Sequence, residues 1–208
     1  MAYQAGWLPL LNGDCEFRTC DGEIHKIAGR WDMVVAFPPC THLATSGARH
    51  FAKKRADGRQ RDAIIFFCSM LSAKCSRIAV ENPRGIMSGG TYIRQHFPDL
   101  AEQYSIPRPY SQELQPWYFA ESEEDRENYH EKTTCLWLAG LPLIDIPAVH
   151  FPPPKKFVTS TGKSFPAWYS KSSLRGHGER SKVRSKTFSG IAQAMAEQWT
   201  PDLREVTT

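Results

Sequence analysis

Two short apolar runs, each stopped by prolines and separated by one amphipathic stretch, constrain this chain more than any other feature. Trp31-Asp32-Met33-Val34-Val35-Ala36-Phe37 is β-branched and aromatic and stops at Pro38-Pro39, so it reads as a buried strand running into a loop. Ile78-Ala79-Val80, stopped by Glu81-Asn82-Pro83, repeats the pattern. Between them, residues 62–73 place Ala63, Ile64, Phe66, Phe67, Met70 and Leu71 at helical spacing, with polar residues on the other face. Strand, helix, strand predicts a βαβ unit with parallel strands and a right-handed crossover, and hence an α/β fold class.

The rest of the chain adds fewer elements. Thr133-Thr134-Cys135-Leu136-Trp137-Leu138, closed by Gly140, predicts a third strand. Residues 147–173 are rich in Pro, Ser, Gly and Lys and read as loops or a small irregular lobe. A closing helix is expected over 189–199, with Ile191, Ala194, Met195 and Gln198 on one side and Pro201 as its stop. The expected organisation is a catalytic α/β core over 1–146, an irregular basic lobe over 147–183, and a closing segment over 184–208. A length of 208 residues with 41% hydrophobic content suits one domain with a small appendage.

In an open parallel α/β sheet, reactive groups gather at the carboxyl ends of the strands. Pro38-Pro39-Cys40 and Glu81-Asn82-Pro83 both belong at such ends, on strands joined by one crossover, so they should share a cleft. A thiol and a carboxylate together suit addition to an electron-poor ring, the thiolate attacking carbon while the acid protonates a ring nitrogen. The flanking prolines fix the φ angles of the two loops. A neutral thiol is a weak nucleophile near neutral pH, and positive charge from Arg49 or another residue of its tract would help Cys40 ionise. The other cysteines, at 15, 20, 68, 75 and 135, form no CxxC pair and no cluster of zinc-ligand spacing, so they read as buried thiols and no metal is expected. His42 and His50 read as loop or surface residues, and Trp117, Trp137 and Trp199 as core aromatics.

Phe37-Pro38-Pro39-Cys40-Thr41-His42-Leu43 followed by Ser46-Gly47 resembles the Pro-Pro-Cys nucleophile loop of cytosine-C5 DNA methyltransferases. Glu81-Asn82-Pro83 is similar to that family's Glu-Asn-Val motif, with Pro replacing Val and a comparable separation from the cysteine. Gln115-Pro116-Trp117, residues 132–138 and residues 184–192 resemble the compact phage and prophage members as a group. The likeness spans residues 30–199. It implies a Rossmann-like methyltransferase fold, three-layered with a mostly parallel sheet, and methyl transfer from S-adenosylmethionine to C5 of a cytosine flipped out of the duplex. Cys40 would attack C6 and Glu81 would contact N3. Pro39, Asn82, Pro83, Ser46 and Gly47 would line the base pocket. Asp14, in an Asn12-Gly13-Asp14 segment like the family's adenine contact, and Gly190, in the closing motif, would face the cofactor.

The family's Phe-x-Gly-x-Gly cofactor loop and the acidic residue that follows it have no counterpart, so the fold is expected to lack its first strands. An exposed edge would then flank the 31–37 strand, open to a homodimer or a complementing chain. Three readings stand beside one another: another chain supplies the missing half, the protein is an inactive remnant or has a misassigned start, or it binds a nucleobase without methyl transfer.

The formal net charge of +4 is small, but its distribution is informative. Arg49, Lys53, Lys54, Arg55, Arg59 and Arg61 stand against Asp57 alone, and a second basic tract over 163–186 includes Arg184. These tracts predict contact with DNA, Arg49, Lys53, Lys54, Arg55, Arg59 and Arg184 being the candidate contacts. The acidic insert at 121–125 would face away from phosphates. No membrane-spanning apolar run and no leader pattern is readable, so the expected location is the cytoplasm, that of the host cell if the protein is phage-encoded.

Overall fold

The computed structural model describes residues 15–18, 24–27, 31–106, 109–166 and 188–200. Asp14, Arg184 and nearly all of the second basic tract lie outside these residues. The chain divides into two compact units, Met1–Gln112 with Cys135–Leu141, and Glu113–Thr134 with Pro142–Thr208. The division falls elsewhere than the boundaries read from composition, because the second unit takes up residues on both sides of the 135–141 strand.

The first unit begins with an antiparallel pair, β1 (Cys15–Arg18) and β2 (Ile24–Ile27), in the register Cys15 to Ile27. The βαβ unit follows. Strand β3 (Val34–Ala36) lies parallel to β4 (Ile78–Pro83), Val34 opposite Ile78 and Ala36 opposite Val80. The crossover holds two 3-10 turns, Cys40–His42 and Thr45–His50, then helices α1 (Phe51–Ala56) and α2 (Arg59–Leu71). Three short helices succeed β4: α3 (Ile86–Gly89), α4 (Thr91–His96) and α5 (Pro98–Gln103). Strands β5 (Gln112–Leu114) and β6 (Thr134–Ala139) complete a four-stranded sheet of order β3-β4-β6-β5. The fold is thus mixed α/β with an open sheet, as the alternation of elements predicts.

The apolar stripe of α2 decides where the core sits. Ala63, Ile64, Phe67, Cys68 and Met70 are buried and share one cluster with Ile78 and Val80 of β4, Ile93, Leu100 and Trp137. Phe67 and Trp137 meet edge to face with ring centroids 5.0 Å apart. Each fully buried side chain of this size contributes about 1.5–3 kcal/mol. Gly140 ends β6 with φ +62, and a Cβ there would stand 2.0 Å from the Ser76 carbonyl oxygen, so this turn admits glycine alone.

In the second unit, Pro116–Phe119 forms a 3-10 turn. The acidic insert folds on itself, the Asp125 carboxylate accepting the backbone N–H groups of Glu127 and Asn128 at 2.9 and 3.0 Å. A short hairpin, β7 (Lys156–Val158) with β8 (Ser164–Pro166), occupies part of the stretch expected to be irregular. Helix α6 (Ser189–Trp199) has the predicted bounds, with Ile191, Ala194, Met195 and Trp199 buried. Gln198 and Asp145 exchange two hydrogen bonds, and the Trp199 indole donates to the Pro142 carbonyl at 3.1 Å. Among the described residues, no helix is long and apolar enough to cross a membrane.

Candidate active site

The two proline-bearing motifs meet at the carboxyl ends of adjacent parallel strands. Ala36 pairs with Val80, so the chain leaves β3 level with Glu81 and turns three residues later at Cys40. Cys40 opens the 3-10 turn, half-buried, and its carbonyl accepts the N–H groups of Leu43 and Ala44, both at 2.9 Å. Glu81 and Asn82 lie inside β4 rather than beyond its end. Strand alternation therefore turns Glu81 to the face opposite Val80 and Asn82.

Backbone and side-chain bonds stitch the two motifs together. The Asn82 amide, 2% exposed, donates to the Pro38 carbonyl at 2.8 Å. Ile86 N–H donates to the Leu43 carbonyl at 2.9 Å, while the N–H and hydroxyl of Thr45 approach the Arg84 carbonyl at 3.4 and 3.3 Å. Ala44 and Gly85 form an antiparallel bridge, and a Cβ on Gly85 would fall 2.3 Å from the Leu43 carbonyl oxygen. The missing side chain is what lets the two backbones close. Asn82 thereby ties the two motifs together. Pro39 and Ser46 are exposed and Pro83 is half-buried. Gly47 makes room for a cation, since a Cβ there would lie 3.2 Å from Lys54 Nζ.

The basic tract beside this turn is only partly a surface. Lys54 is 7% exposed and donates to the Thr41 carbonyl at 2.5 Å, with its ammonium 5.9 Å from the Phe51 ring centroid. Arg55 is half-buried, bonded to the Tyr92 hydroxyl and lying over its ring at 5.6 Å. Lys54 is thus a part of the scaffold, because burial removes it from any approaching phosphate, while Arg55 is held by Tyr92. Arg59 is exposed but paired with Asp57, and Arg61 with Asp99. Arg49 is exposed with its Nε on the His50 ring at 2.9 Å, and Lys53 is exposed. Among the described residues of the tract, these two are the exposed cations without a carboxylate partner.

A polar relay that the sequence reading missed supports the turn from below. Gln60, with no exposed surface, donates to the His42 carbonyl at 3.0 Å and accepts from the Tyr92 hydroxyl at 2.8 Å. Its signal was present: Gln60 falls one turn before Ala63 and Ile64 on the apolar stripe of α2, where a polar side chain needs a partner. Burial, then the charges of Lys54 and Arg59, push the His42 imidazole below its usual range. His42 is therefore neutral near pH 7. Burial, then Arg59, also pushes the Lys54 ammonium down, while Asp57 and Cys40 push it back up.

Gly190 belongs to the second unit. Its N–H donates to the Asn128 side-chain oxygen at 2.8 Å, and a Cβ there would meet Phe119 Cβ at 2.6 Å. The glycine lets α6 approach Phe119 and Asn128 closely within its own unit. Among the described residues, no group of three His, Cys, Asp or Glu side chains could hold a metal ion.

No protein-family model matches the chain, and no curated protein is similar enough to indicate kinship. What fold and site define is a class by geometry: an α/β protein whose thiol-bearing turn is laced to a carboxylate-bearing strand.

Proposed function

We propose that this protein is a cytosine-C5 DNA methyltransferase of the compact type, on a Rossmann-like methyltransferase fold, with Cys40 as nucleophile and Glu81 as the partner of the ring nitrogen. The observation that carries this reading is the lacing of the Cys40 turn to β4 and the segment after it, through Asn82–Pro38, Thr45–Arg84 and Leu43–Ile86. A thiol and a carboxyl held on adjacent strand ends can act on one planar ring, the thiolate adding to C6 as the carboxyl proton goes to N3. The prolines and the buried amide keep the two groups preorganised.

S-adenosylmethionine is the methyl donor that the family resemblance implies. Of the residues the resemblance assigns to it, Gly190 packs against Phe119 and Asn128, and Asp14 lies outside the described residues.

DNA containing 5-fluorocytosine, incubated with the protein and S-adenosylmethionine, should give a denaturant-resistant adduct that Cys40→Ala abolishes. An adduct that persists in Cys40→Ala would overturn the assignment of the nucleophile. Absence of any adduct would count against transfer by this chain alone.

A further inference from the structure

We propose that Lys54 is the counter-cation of Cys40, holding its sulfur as thiolate, and is thus a positioning and activating residue for the nucleophile. The inference rests on the reading of Cys40 as that nucleophile. Lys54 is 7% exposed, and no carboxylate lies within ion-pair distance of it among the described residues. A buried ammonium without an anion is costly, so a site that keeps one has an anion to offer it. Three N–H groups are available and one is spent on the Thr41 carbonyl, directly after Cys40.

The surroundings single out the thiol as that anion. The charges that act on Lys54 are, in order of weight, those of Arg59, Asp57 and Cys40, and those that act on the adjacent His42 are Lys54, Arg59, Asp57 and Asp62. Asp57 is exposed and already paired with Arg59. His42 is held neutral, so it adds no positive charge beside the sulfur. Interaction energies are reciprocal: Cys40 favours the charged form of Lys54, so the ammonium favours the thiolate by the same amount. Gly47 gives the device its room, because a methyl there would crowd Lys54 Nζ at 3.2 Å.

The test needs neither DNA nor methyl donor. The rate of Cys40 alkylation by iodoacetamide, followed by peptide mass spectrometry between pH 5 and 10, gives the ionisation midpoint of the thiol. In the wild type the midpoint should fall below the free-cysteine value of about 8.5. Lys54→Met and Lys54→Gln should both return it to that value or above, with alkylation at pH 7 slowed roughly five- to tenfold. Lys54→Arg should hold it low. Lys54→Gln separates charge from anchoring, since it keeps a donor for Thr41; circular dichroism of each variant shows that it folds. A wild-type midpoint near 8.5, or one that Lys54→Gln leaves low, would overturn the proposal. A low, Lys54-dependent midpoint together with no adduct on DNA would leave this proposal standing and remove methyl transfer.

Discussion

At the scale of single residues, the site depends on side chains with opposite relations to solvent. Asn82 is buried and tied to Pro38, so Asn82→Ala should cost about 1–3 kcal/mol, the penalty for an orphaned buried acceptor. Urea unfolding reads that loss, and an unchanged midpoint would mean the carbonyl finds another donor. His42 gives a pH test. Its folded ionisation lies below that of the unfolded chain, so its contribution is complete above the ordinary histidine value of about 6.5 and is lost as pH falls through the lowered one. The stability of the wild type should therefore fall more steeply between pH 6.5 and 5 than that of His42→Gln, by parallel urea titrations. Equal slopes would contradict the assignment. The meeting of the Cys40 turn and the Glu81 strand was legible in the sequence because their proline-bounded loops are local patterns. Lys54 was not, since a lysine in a run of basic residues looks like surface until the chain folds and Gly47 lets it in.

At the scale of elements, the crossover is the part that joins chemistry to stability. Helix α2 was legible from its period, read at 62–73 and found at Arg59–Leu71. Strand β3 proved shorter than its apolar run, and β4 longer, reaching Pro83. The run of short helices α3, α4 and α5 was not legible, since segments of four to six residues are too brief for an apolar period to emerge. Their place is set by tertiary contact, with Ile86, Met87, Ile93, Phe97 and Leu100 all entering the cluster around Phe67. Phe67→Ala should cost about 3–5 kcal/mol by opening a cavity against Trp137. Gly85→Ala tests the junction instead, where the added methyl must displace the Leu43 carbonyl. It should slow Cys40 alkylation even where the protein still folds, because the displaced backbone carries the Cys40 turn. A Gly85→Ala protein with wild-type alkylation kinetics would contradict the lacing as a catalytic device.

At the scale of the molecule, the +4 formal charge spreads over a surface less basic beside the site than the sequence suggested. Of the six cations between 49 and 61, Lys54 is buried, Arg55 lies half-buried on Tyr92, and two are paired with aspartates, a distinction that only the folded chain makes. DNA binding should accordingly have a shallow salt dependence, and Lys53→Ala should reduce the log-log slope by about 0.9. A slope unchanged by Lys53→Ala would move the contact elsewhere on the protein. The central claim, that Cys40 adds to a cytosine ring with Glu81 beside it, has a direct test that does not depend on a bound methyl donor. Addition at C6 makes C5 exchange its hydrogen with solvent, so mass spectrometry of cytosine-containing DNA incubated with the protein in deuterium oxide reads the covalent step itself. Deuterium at C5, lost in Cys40→Ala and reduced in Glu81→Gln, is the predicted result; DNA that takes up none with the wild-type protein would contradict it.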